Sequence, residues 1–131
     1  MIHSYEMELQ MNFKEHDING IRIVEVVADD VLIQKADDGV DLIGNFYFQG
    51  YDRVIIYVKD ITSDFFDLKN GMAGEILQKF SNYRIRLAIV GDFSMHASKS
   101  LADFIRESNS LGHFSFVETT KEALEVLSNG R

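Results

Sequence analysis

The chain has 131 residues, 21 of them Asp or Glu and 13 Lys or Arg, for a net charge of −8. That length supports one hydrophobic core but not two, and 46% hydrophobic with 26% charged residues is globular rather than disordered composition. The acidic balance, with no basic cluster beyond Arg84 and Arg86, argues against nucleic-acid and anionic-membrane partners, and the absence of cysteine excludes disulfides and thiolate chemistry.

The longest apolar runs are five or six residues, too short to span a bilayer. The opening MIHSYEMELQMNF carries acids where a secretory signal needs basic residues and an apolar run. A single domain over 1–131 in the cytoplasm is expected, with 1–6 as an unpatterned extension.

Apolar residues alternate at Met7, Leu9, Met11 and Phe13, which predicts a half-buried strand over Met7 to Lys14. Asn19-Gly20 is a tight-turn pair, so a hairpin should lead into a second strand, Ile21 to Val27. From Lys35 to Phe48, helical spacing sets Ala36, Val40, Ile43 and Tyr47 on one face, opposite Asp37, Asp38 and Asp41. Phe46-Tyr47-Phe48 reads as core, and Gly50 as the stop.

Val54 to Val58 is almost wholly apolar, as in a central strand covered on both faces. A loop over Lys59 to Asp67 should lead into a helix reaching Phe80, with Leu68, Met72, Ile76 and Phe80 inward and Asp64 or Asp67 as cap. Gly71 and Gly74 fall inside that helix, where close packing on the sheet is the natural reason for them. Ile85 to Val90 is a second buried-type strand.

Ser98 or Ser100 can cap the next helix, whose inward residues are Leu101, Phe104 and Ile105. Phe114 to Val117 forms a last strand. Thr119 with Glu122 is a capping box opening a terminal helix. The expectation is α/β: an N-terminal β-hairpin followed by βαβ units, about five strands in a mixed sheet with about four helices.

Two resemblances follow from these residues. The words DFFDLKNGMAGEILQKFSNYRIRLAIVGDFS, from Asp64 to Ser94, and SKSLADFIRESN, from Ser98 to Asn109, resemble an uncharacterised bacterial family, domain of unknown function 4180. That likeness brings no activity with it. The element order is also similar to that of STAS domains, the fold of anti-anti-sigma factors, which implies a STAS-like fold and a regulatory, protein-binding role. Many STAS domains carry a phosphorylated serine in an Asp-Ser-Ser-Gly motif. Here the comparable stretch, Asp67-Leu68-Lys69-Asn70-Gly71, is one residue longer and has no serine, so the phospho-switch is not implied.

If the strands ending at Val58 and Val90 are parallel, the loops leaving them share one rim, where α/β sheets bind ligands. The binding surface expected there comprises Thr62, Ser63, Phe66, Asp67, Lys69, Gly71, Asp92 and Ser94. Asp60, Asp64, Asp67 and Asp92 are a lesser alternative as Mg²⁺ ligands, with His96 as a base. The plainer reading, that these acids cap helices and end strands, suits their residue type better. Phe65 and Phe66 cannot both face the core from one helix, because adjacent helical residues point about 100° apart. One should pack inward and the other lie at the surface or against a partner, with structural packing the better reading of the pair.

His3, His16 and His113 have no ligand-spaced partners. No phosphate-binding loop, nucleophile elbow or metalloprotease motif occurs, so neither a cofactor nor a catalytic set is expected. The reading leans against an enzyme and toward a protein partner, with homodimerisation through the edge strand Met7–Lys14 as a second expectation.

Overall fold

The computed structural model describes residues 11–94 and 98–129. Its order is β1 (Met11–Ile18), β2 (Ile21–Ala28), α1 (Ala36–Gln49), β3 (Arg53–Tyr57), α2 (Met72–Asn82), β4 (Arg86–Val90), α3 (Lys99–Leu111), β5 (Phe114–Val117) and α4 (Thr120–Leu127). The five strands lie in the order β1-β2-β3-β4-β5. The first pair is antiparallel and the others are parallel. This is the α/β order that the STAS resemblance implies.

The hairpin turns as expected. Asn19 and Gly20 both take positive φ, 54° and 87°, and the Asp17 carboxylate accepts the Gly20 N–H at 2.8 Å. That turn sets the β1–β2 register. Residues 7–10 and the proposed extension 1–6 lie outside the described residues.

One sheet face carries Val24, Val26, Val54, Ile56, Leu87, Ile89 and Phe116 against α1, α2 and α3. The other carries Ile23, Ile55, Ala88 and Val90 against Ala123 and Leu127 of α4. Central strands covered twice explain the unbroken apolar runs.

Two helix expectations are corrected. In α1 the buried face is Gly39, Leu42, Ile43 and Phe46, rotated from the predicted stripe. Leu42 and Phe46 bury more apolar area than Val40 and Tyr47, and Gly39 lets α1 approach Ile76 of α2 closely. Tyr47 is 63% and Phe48 90% exposed, so only Phe46 of that triplet is core.

The second correction concerns α2, which starts at Met72 rather than near Asp67. Gly71 has φ +81°, a left-handed conformation that separates the helix from what precedes it. Three short 3₁₀ turns, Val58–Asp60, Ser63–Phe66 and Leu68–Asn70, cross the rim first. Neither Asp64 nor Asp67 caps α2; the Asn70 side chain accepts the Met72 N–H at 2.9 Å. Gly74 does not pack closely either, since a methyl group there would meet nothing within 4 Å.

The later caps follow expectation. Ser98 accepts from Leu101 N–H, and Thr119 with Glu122 forms a reciprocal capping box.

Candidate functional site

Tyr57 pairs with Val90, and Val90 with Val117, so β3, β4 and β5 end on one rim. The loops leaving Val58 and Val90 therefore emerge side by side, as the sequence reading required. A groove of about 630 Å³ opens there between the 3₁₀ stretch and the start of α3. Ser63, Asp64, Phe66, Asp67, Leu68 and Lys69 line one wall, Ser98 and Ser100 the other.

Four of the eight expected binding residues, Ser63, Phe66, Asp67 and Lys69, share this groove. The Asp67 and Lys69 side chains make no hydrogen bond or ion pair among the described residues. The packing reading of the Phe pair holds for Phe66. It is 4% exposed and packs edge-on against Phe65 and at a tilt against Phe93, so it serves as floor rather than contact. Phe65 is buried as well, so both rings of the pair belong to the core that faces α1, α2 and α3.

Thr62, Gly71, Asp92 and Ser94 do not line it. Thr62 bonds backbone to backbone with Ile33 and its hydroxyl accepts from Asp64 N–H. Gly71 takes the left-handed backbone at the start of α2. Asp92 accepts from both the Ser94 hydroxyl and its N–H, which hold the Asp92 carboxyl below the usual aspartate range.

The four acids of the metal alternative are spread over different surroundings. Asp60 is 1% exposed and pairs through Oδ1 with Lys59 at 2.8 Å, while Asp64 and Asp67 are exposed on the groove and Asp92 lies in another. Among the described residues no three His, Asp or Glu side chains come together as a metal would need. His96 lies outside the described residues. The second Asp60 oxygen is buried without a hydrogen-bond partner among them.

A family profile for a domain of unknown function, number 4180, matches residues 18–127. The chain belongs to that family. Both walls of the groove fall inside the span matched to the 4180 family. No curated protein matches the chain. Among solved structures, a candidate anti-sigma factor antagonist from Thermotoga maritima is similar at 14% identity, over 89% of this chain and 95% of that one, with a TM-score of 0.47.

This 4180-family member also carries a polar chain that the sequence reading did not find. On the α4 side of the sheet, Glu25 accepts from His16 Nε2 at 2.8 Å and from the Tyr57 hydroxyl at 2.5 Å. With the Tyr57 proton committed to Glu25, the Thr120 hydroxyl donates to Tyr57 at 2.6 Å. Burial alone would push Glu25 up, but the bonds from Tyr57 and His16 outweigh it and hold the carboxyl below its ordinary value. Burial first, then the bond to Glu25, pushes the Tyr57 phenol up.

The chain ends on a second groove of about 500 Å³, lined by Tyr57, Lys59, Gly91, Asp92, Thr119 and Thr120 among others. Half of this was readable. The Asn19-Gly20 turn pairs Lys14 with Glu25 and His16 with Ile23, which puts His16 diagonal to Glu25 on one face. The Tyr57 and Thr120 links depend on parallel registers between distant segments, and those left no signal in the sequence.

Proposed function

We propose that this chain is a non-enzymatic regulatory module of the bacterial cytoplasm that binds a protein partner across the groove between Ser63–Lys69 and the start of α3. One observation carries the reading. Asp67 and Lys69, two unpaired opposite charges, rim a groove floored by Leu68 and the buried Phe66. A polar rim around an apolar floor is the anatomy of a specific protein contact, and unpaired rim charges add orientation and encounter rate.

The test is affinity capture from a bacterial lysate with the wild-type chain, Lys69→Glu and Asp67→Lys, followed by hydrogen exchange on any recovered complex. Both side chains are exposed, so the fold should tolerate either change. The expected result is loss of capture by the variants and protection over residues 62–70 and 98–100 in the wild type. A partner held equally by all three chains sinks the proposal.

A second reading, small-ligand sensing at the other groove, is favoured by the His16–Glu25–Tyr57–Thr120 chain that ends there. Its expected signature is a ligand-induced rise in melting temperature that Tyr57→Phe removes.

We also propose self-association through β1. A two-fold antiparallel pairing sets a residue opposite its own copy. Centres at Lys14, Glu15 or Asp17 oppose like charges, whereas centres at Asn12 or Phe13 do not. Sedimentation at rising concentration checks it, and a single monomeric species throughout would rule it out.

A further inference from the structure

The rim where the strands begin holds a groove of about 650 Å³ whose charge runs against the rest of the molecule. Acids outnumber Lys and Arg by 21 to 13 in the chain, yet the lining includes Arg84, Arg86 and His113 and no Asp or Glu. Ser81 and Ser110 add hydroxyl groups.

Helix ends account for one of these cations. The Arg86 guanidinium donates to the carbonyls of Val126 and Asn129, so it complements the carboxyl end of α4. Arg84 has no such duty. Helix α2 is closed by its own backbone, with Ile85 N–H donating to Phe80 and Arg84 N–H to Ser81 in the Schellman pattern. The Arg84 guanidinium makes no hydrogen bond or ion pair among the described residues.

Its backbone is also costly. Arg84 takes φ +58°, and after α1 and α3 the comparable position is filled by glycine, Gly50 at +80° and Gly112 at +84°. A side chain in that region is strained, so glycine would close α2 better. What arginine adds over glycine is a free cation in an acid-free groove.

We propose that this groove binds a small, multiply charged anion bearing phosphate or carboxylate groups, with the Arg84 guanidinium as its main charge partner and the Ser81 and Ser110 hydroxyls as neutral donors. The volume lies in the range of small-molecule sites, and the planar guanidinium fork matches both oxyanions. The site is at the other end of the strands from the protein-binding groove and stands independently of it.

Thermal unfolding of the full chain with millimolar pyrophosphate or citrate, against sodium chloride at matched ionic strength, tests the proposal. The melting temperature should rise with one or both anions beyond the salt control. A response to pyrophosphate alone assigns phosphate chemistry, and to citrate alone carboxylate chemistry. Arg84→Gln keeps the strained backbone but removes the charge, and should weaken apparent affinity by about tenfold or more. Arg84→Gly should melt higher than wild type without ligand, yet lose the ligand-dependent rise. Equal melting in anion and salt, or an Arg84→Gln response matching wild type, overturns it.

Discussion

Replacing Gly39 with alanine sets two effects of known size against each other. In a helix interior the substitution gains about 1 kcal/mol of propensity. At Gly39, however, the new methyl group would lie 2.9 Å from Ile76 Cγ1 and 3.0 Å from its Cδ1. Ile76 is 1% exposed and has nowhere to retreat, and crowding of this kind costs about 1–3 kcal/mol. Gly44, in the same helix, would meet nothing within 4 Å, so its substitution keeps the whole gain. Gly39→Ala should therefore fall about 1–3 kcal/mol below Gly44→Ala. For 131 residues at about 2.1 cal/mol/K each, roughly 0.28 kcal/mol corresponds to one degree, and the gap becomes about 4–11 °C. Thermal unfolding followed by circular dichroism measures it. On an Ile76→Ala background the crowding is gone, and Gly39→Ala should become neutral or stabilising. If Gly39→Ala melts as high as Gly44→Ala in the otherwise native chain, the account of α1 packed tightly on α2 is wrong.

Phe66→Ala should cost about 3–5 kcal/mol, because it empties a buried ring site, whereas Lys69→Glu should stay within about 0.5 kcal/mol; urea unfolding of both distinguishes floor from rim. Glu25 has a folded-state value below its unfolded one, so its stabilisation is present above about pH 4.3 and is lost as pH falls through the folded value. Tyr57→Phe removes a donor to that carboxylate, and urea midpoints between pH 3 and 7 should show a shallower acid loss in the variant, on the order of one hydrogen bond. Arg53 and Arg86 both donate to carbonyls at the end of α4, including Leu127, Asn129 and Val126. Arg86→Ala should destabilise by about 1–3 kcal/mol, with amide exchange in α4 accelerated first. Uniform exchange changes across all four helices would contradict that placement.

The parts of the fold legible in advance were those specified locally. Asn19-Gly20 named its own turn, Thr119 and Glu122 named their cap, and the apolar runs at Val54–Val58 and Ile85–Val90 named central strands. The parallel pairing that brings their exits together was inferred from βαβ logic and is observed. The face of α1 was misjudged because periodicity weighs Tyr47 like Phe46, whereas Ile76 and Gly39 decide which side can come close. The start of α2 was placed early because Leu68 lies in phase with Met72, and phase is blind to the left-handed Gly71. Of the candidate surface, the sequence named a shared rim but not the groove in it, and only Ser63, Phe66, Asp67 and Lys69 of the eight residues line that groove. That both adjacent phenylalanines are buried depends on the elements packed around the loop, which the local sequence does not show. The Glu25 network required knowing that Tyr57 lies beside β2, a relation between residues 32 positions apart.

The stretch from Val58 to Asn70 crosses the rim on three separate 3₁₀ turns rather than on a continuous helix. Within this stretch the second and third turns share Asp67 between them, and the Asn70 side chain donates back to the Asp64 carbonyl at 2.8 Å, which ties the third turn to the second. Its beginning is tied to Leu32 and Ile33 by the Asp60 carbonyl, and its end is set by a single glycine. Between those two ends the span is pinned again at its middle, where Phe65 and Phe66 are sunk into the core. A wall held at three places keeps its shape, so Asp67 and Lys69 are presented at a fixed spacing.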